Sequence, residues 1–204
     1  MTTVLQFLDI ILAPWEPLLD GAGESYLWFF CCGSLVNNSA SFAALRRAVV
    51  CHKLTATFAF NAIKFQPSFT SALLLAFTDQ VLVERRPLLS AVENMLAHSQ
   101  KLGRHTDIFV LTVSQGGALR ASKYVWTHRD FRPWGGFLPI QCPRCGYADA
   151  WRSAYVETDK AYSFECCNDS CSQSYIFSQP PGARMLTAGK ARGSGWMEVP
   201  LSIA

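Results

Sequence analysis

Eight cysteines are present, and four of them fall into two short pairs: Cys142-Pro143-Arg144-Cys145, and Cys166-Cys167-Asn168-Asp169-Ser170-Cys171. The pattern is C-x2-C, twenty residues, then C-x4-C. Four thiolates spaced in this way can converge on one tetrahedral cation, and a closed set of sulfur donors suits a structural zinc ion. Gly146, directly after Cys145, can take the positive φ that lets the backbone wrap a sulfur. Two neighbours compete to be the third ligand. Cys166 shares strand parity with Phe164 and gives the wider knuckle, which favours it, and Cys167 is the alternative. The expected ligands are therefore Cys142, Cys145, Cys166 and Cys171, holding one Zn2+ ion. Four unconnected thiols are the plain alternative. Disulfides fit less well, because nothing marks the chain as secreted.

The residues between the pairs must position them. Trp151, Ser153, Tyr155 and Glu157 alternate on one parity, a Thr158-Asp159-Lys160 turn follows, and Tyr162, Phe164 and Cys166 alternate after it. A third apolar run, Tyr175-Ile176-Phe177, comes after Cys171. In this spacing, and in the Cys-Pro-x-Cys-Gly opening, residues 138–180 resemble a zinc ribbon: two knuckles on a small β-sheet. There the metal replaces a core too small to form alone.

Upstream, residues 2–12 place Val4, Leu5, Leu8, Ile11 and Leu12 on one helical face, ended by Pro14 and Pro17. Residues 26–32 are continuously apolar, as in a strand buried on both faces of a parallel sheet. Asn38, Ser39 and Ser41 offer caps for a helix through Leu45 and Val49. Residues 55–61 read as a strand. Pro67 and Pro87 open two further helices, the second closed by Gly103. Residues 107–113 and 122–127 read as a hairpin across Ser114-Gln115-Gly116-Gly117. Strand, helix, strand, helices, strand is the order of an α/β domain, here a small, mainly parallel sheet with flanking helices. The expected division is an α/β domain over 1–130, a linker over 131–137, the ribbon over 138–180, and a tail over 181–204. Trp196-Met197-Glu198-Val199 in that tail can return as a strand.

Half of the 204 residues are apolar and 16% are charged, which describes a folded chain with a real core. Residues 1–119 carry eight basic and eight acidic side chains, and residues 120–204 carry ten and seven, so the net +3 lies wholly in the second part. That excess alone does not argue for nucleic acid. Trp134, Tyr147, Trp151 and Tyr155, interleaved with Arg129, Arg132, Arg144 and Arg152, could stack bases and touch phosphates, or could simply pack a small ribbon. Lys190 and Arg192 add charge to a glycine-rich tail. No apolar run reaches membrane-spanning length, and the N-terminus makes a poor signal peptide. Unpaired thiols fit a reducing interior, cytoplasm or nucleus. The expected partner is a protein first and nucleic acid second, with no membrane.

A family resemblance covers residues 25–103. An apolar strand runs to Cys32-Gly33-Ser34, and a helix leads to Leu54-Thr55-Ala56-Thr57-Phe58-Ala59-Phe60. A helix with Leu75-Ala76-Phe77 comes next, then one beginning Pro87-Leu88-Leu89-Ser90-Ala91-Val92. This order resembles the second half of the caspase-like fold, especially its CHAT-type members. Joined to Trp126-Thr127-His128, Arg132-Pro133-Trp134-Gly135 and a ribbon, it is similar to certain uncharacterised fungal proteins. The resemblance implies a nucleophile at Cys32, or at Cys31. It also implies a catalytic histidine upstream, whereas His52, His98, His105 and His128 all follow the cysteine. A thiol without a base is a poor nucleophile at neutral pH. His105 with Asp107 as base and orienter, and His128 as a metal ligand, are weaker readings. The expectation is a non-enzymatic interaction protein with a structural zinc. The alternative is a caspase-like cysteine hydrolase completed by a histidine from another chain.

Overall fold

The structure is a computed structural model and describes residues 3–21, 23–114, 116–148, 151–189 and 191–202. Gln115 of the expected turn and Lys190 of the expected tail lie outside these residues. The layering follows from strands that are apolar on both faces. All five residues of β2 (Ala56–Phe60) are buried, as are the first four of β3 (Ile108–Val113). On one face Phe58, Phe60, Ile108, Val110, Tyr124 and Trp126 pack under α5 (Ser71–Phe77), α6 (Leu88–Ala97) and α7 (Gln100–His105). On the other, Ala59, Phe109, Leu111 and Ala121 pack against α1 (Val4–Leu12) and α4 (Ser39–Cys51) through Leu8, Leu12, Leu45, Ala48 and Val49. Two short helices complete the first half, α2 (Glu16–Gly21) and α3 (Ser34–Asn37).

The six-stranded sheet has the order β1-β2-β3-β4-β9-β8, with β1 at Tyr26–Trp28, β4 at Leu119–His128, β8 at Arg184–Ala188 and β9 at Ser194–Pro200. It is mixed, not mainly parallel. Only β1 and β2 run parallel among the described strands, and every other neighbouring pair is antiparallel. The apolar runs report burial on both faces, which two helical layers provide whatever the strand direction. Direction is set instead by the β3–β4 hairpin and by the return of β9 against β4.

The expected long buried strand over 26–32 is also different. β1 has three residues, all part-buried, at the sheet edge. Its aromatic content goes into ring packing: Trp28 stacks on Phe58 at 3.8 Å and meets Phe77 edge-on at 5.2 Å. The helix expected from Pro87 to Gly103 is two helices, and Gly103 lies inside α7. A Cβ there would come within 2.5 Å of Trp126 Cβ and 2.6 Å of the Trp196 ring, so glycine is required by close approach.

Residues 196–199 lie within β9, between β4 and β8, so this part of the expected tail is built into the main sheet. The linker is fastened as well. Arg132 donates to the Gly103 carbonyl, to Asp107 Oδ1 at 2.6 Å and to the Gly135 carbonyl at 3.2 Å. Asp107 in turn accepts from Asn61 Nδ2 at 2.9 Å. Trp134 packs against Val125, Met197 and Val199 on the sheet and faces the Tyr162 ring at 5.7 Å.

Candidate metal centre

The three strands β5 (Trp151–Val156), β6 (Ala161–Cys166) and β7 (Ser174–Ser178) form a separate antiparallel sheet. Their register places Trp151 opposite Cys166, Ser153 opposite Phe164, and Tyr155 opposite Tyr162. On the other side of β6, Phe164 faces Tyr175 and Tyr162 faces Phe177. One face is therefore aromatic, with Trp151 and Tyr175 meeting edge-on at 5.1 Å. The parity read from the sequence is the parity of this sheet. Its core is nonetheless small. Among the described residues of this sheet and its two cysteine turns, Cys142, Ala161, Phe164 and Cys166 are the buried ones.

Each cysteine pair closes a tight turn at one end of the sheet. In the first, Gly146 takes φ of 71°, its N–H donates to the Cys142 carbonyl at 2.9 Å, and the Cys142 N–H donates to the Tyr147 carbonyl at 3.0 Å. In the second, the Cys171 N–H donates to the Asn168 carbonyl at 2.8 Å, and the Cys166 N–H to the Gln173 carbonyl at 3.0 Å. Asn168 Oδ1 accepts from the Ser170 N–H at 3.0 Å. Arg144 ties the two turns together by donating to Ser172 Oγ at 2.6 Å.

These turns bring together the sulfurs of Cys142, Cys145, Cys166 and Cys171, all within 4.8 Å of one another. Cys142 Sγ lies 3.8 Å from Cys171 Sγ, and Cys145 Sγ lies 3.6 Å from Cys166 Sγ. A tetrahedron of sulfurs around a cation with bonds near 2.3 Å has edges of about 3.8 Å. The cluster thus has the size of one tetrahedral metal site, compatible with zinc, and all four thiols are free of disulfides. Cys166, not Cys167, belongs to it. The thiols titrate together: burial pushes Cys142 up, but the backbone N–H groups of Cys145 and Arg144 and the neighbouring sulfurs outweigh it and lower it, while Cys166 and Cys171 are raised. Metal binding at such a cluster releases protons and is pH-dependent.

The other candidates are not gathered into a site. Cys32 is exposed, and its partner is Ser34 Oγ at 3.5 Å. That hydroxyl and the Ser34 backbone hold its thiol below the ordinary value. No histidine among the described residues is hydrogen-bonded to Cys31 or Cys32. His52 contacts Asp9 at 3.0 Å and Glu16 at 3.6 Å, while His105 accepts from the Gln66 N–H at 3.0 Å. Asp107 serves Arg132 and Asn61, so it does not orient His105. His128 accepts from the Asp130 N–H at 3.1 Å and stacks near Phe131, away from the sulfurs.

Of the four interleaved arginines, Arg132 is taken up by its ion pair and carbonyl contacts, and Arg129 pairs with Asp130 at 3.2 Å. Arg144 holds Ser172, and Arg152 lies 3.9 Å from Asp169. Each of the four thus has a polar partner within the chain.

A feature the sequence reading passed over is a cleft of about 660 Å³ between the three-stranded sheet and the end of β4. Trp126 and Phe164 line it, with Trp151 and Ser153 from β5, Arg104 from α7, and Phe131, Phe137 and Ile140 from the linker region. Phe137 and Ile140 are 79% and 86% exposed. The available signal was Phe137-Leu138-Pro139-Ile140, an apolar run between a glycine pair and the first knuckle. No family model, no curated protein and no solved structure matches the chain.

Proposed function

We propose that this chain is a non-enzymatic interaction protein whose C-terminal module is a zinc ribbon, held by one structural zinc ion on Cys142, Cys145, Cys166 and Cys171. The four-sulfur cluster within 4.8 Å is the observation that carries this reading. Two features support a structural role. All four ligands come from the protein, which leaves no open position for a substrate. The module also buries too few apolar side chains to stand without a cross-link, so metal binding and its folding are one event. Interaction follows from what the ribbon does to its surroundings. It closes one wall of the cleft and leaves large apolar side chains uncovered at the rim, as surfaces that receive a protein partner do. We place the chain in a reducing compartment, where thiols remain available to metal.

The likeness of residues 25–103 to a caspase-like half is a proposal about descent, supported by the order of strand, Cys-Gly-Ser loop, helix, strand and helix pair. We assign it no activity, since the side-chain hydrogen bond of Cys32 among the described residues goes to Ser34 and not to a histidine. The test is hydrogen exchange before and after chelation. Removing the metal should deprotect the amides of β5, β6 and β7 while those of β2, β3 and β4 stay protected. Unchanged protection of the ribbon would overturn the reading.

A further inference from the structure

The cleft and the N-terminal helices pose one problem. Both expose apolar side chains that a soluble chain keeps covered. Residues 4–21 follow a nearly continuous helical path, α1, a 3₁₀ turn at Ala13–Trp15, then α2. One side of this path is spent on the core through Leu8 and Leu12. Away from those contacts the path exposes Phe7, Ile10, Trp15 and Leu18, with Ile10 67% and Leu18 64% exposed. A helix that is apolar on two sides is one that gets covered on both.

Charge decides between occupants. Residues 1–45 contain Asp9, Glu16, Asp20 and Glu24 and no Lys, Arg or His. Lys53 offsets Asp20 at 2.9 Å, and His52 sits between Asp9 and Glu16, but the carboxylates remain about half exposed or more. Such a surface repels an anionic bilayer and does not pair face to face with a copy of itself. The cleft has the opposite character. Asp107 is matched by Arg132 and Asp130 by Arg129, whereas the Arg104 side chain has no ion pair or hydrogen bond among the described residues. What is left in the cleft is one cation beside Phe131, Phe137 and Ile140. A single unmatched arginine is too little for a nucleic-acid backbone, where several phosphates must be met. It suits an apolar segment that carries a carboxylate.

We infer that the cleft of one copy receives the helical face of a second copy, head to tail. Apolar side chains around Ile10 and Leu18 enter between Phe137 and Ile140, and a carboxylate of the same helices meets Arg104. The two surfaces share no secondary-structure element, so each copy can give and receive at once. A contact of this kind between unlike faces builds open chains or closed rings, not simple two-fold dimers. The inference rests on the ribbon reading only in that β5 and β6 wall the cleft.

The test is light scattering and sedimentation on the full chain with two variants at heavily exposed positions, Ile10→Asp and Phe137→Asp. The first spoils the helical face and keeps the cleft, and the second does the reverse. Wild type should grow in mass with concentration. Each variant alone should be monomeric over the same range, its self-affinity lower by about tenfold or more. Their equimolar mixture should form a one-to-one dimer and nothing larger, because one good face and one good cleft remain. Arg104→Glu should weaken association of wild-type chains and, when added to Phe137→Asp, leave the mixture with Ile10→Asp as before. A wild type that stays monomeric at every concentration would overturn the inference, and so would variants that still associate alone or a mixture that fails to dimerise. Metal content, measured on the same samples, is a separate result, so loss of the ribbon reading and loss of this one are distinguishable.

Discussion

Two adjacent cysteines, Cys166 and Cys167, differ in fate because a strand alternates. Cys166 follows Phe164 on the buried side of β6 and enters the sulfur cluster, while Cys167 lies past the strand end and outside it. Cys166→Ser should therefore lose metal and ribbon structure, and Cys167→Ser should keep both, as read by metal content and near-ultraviolet circular dichroism. Equal loss in the two would contradict the assignment. This much was legible in the sequence, because parity and the knuckle spacing act locally. Glu198 was not legible. It is 5% exposed in β9, yet it accepts from Ser122 at 2.8 Å, from Arg120 at 2.6 Å and from Arg184 at 3.0 Å. Its partners lie as far as 78 positions away, beyond any local pattern. Burial pushes its carboxyl up, but Ser122, Arg184 and Arg120 outweigh that and hold it below the usual range. A carboxyl depressed in the folded state stabilises above the unfolded value of about 4.3 and stops doing so as pH falls through the folded value. Wild-type stability should thus be flat with respect to this group above about pH 5 and fall below it. Glu198→Gln should be less stable at neutral pH and lose less on acidification, as measured by denaturant titration at a series of pH values. An unchanged acid slope would contradict the role given to Glu198.

At the scale of elements, the strands β2 and β3, the α4 cap and the three ribbon strands could be read from period and turn residues. Asn38 Oδ1 does accept from the Ser41 N–H at 2.9 Å, as a cap should. The direction of the strands could not be read, because an apolar run carries burial and not orientation. Nor could the place of Gly103. In sequence it resembles a helix end, but two tryptophans from β4 and β9 press on it from afar. Gly103→Ala should cost about 1–3 kcal/mol through overpacking, although alanine is the better helix former. A thermal or denaturant melt showing the variant equal to or more stable than wild type would contradict that packing. Arg132 could be read from the sequence as a phosphate contact or as packing, and it acts as a clasp that ties the linker to α7 and to Asp107 at the start of β3. Arg132→Ala should destabilise the chain by about 3 kcal/mol, since Asp107 would be left buried without its cation.

For the whole molecule, two sheets share one chain, and the second lies between strands of the first. The chain leaves the main sheet after β4, builds the three-stranded sheet, and comes back as β8 and β9 to close the first one. A disturbance in the ribbon therefore sits on a loop of the larger fold and need not unfold it. With Arg129, Arg132, Arg144 and Arg152 each engaged by a partner within the chain, few cations are left for phosphates, so any nucleic-acid binding is expected to be weak and salt-dependent. An anisotropy titration at low salt should show at most a loose complex that disappears near physiological ionic strength, whereas a salt-resistant complex would argue for a phosphate-reading surface. The proposed ribbon depends on one ion, and elemental analysis of the purified chain measures it most directly. One zinc per chain is expected, lost when Cys142 and Cys145 are both changed to serine. Well under one zinc in the wild type, or full retention in the double variant, would contradict it.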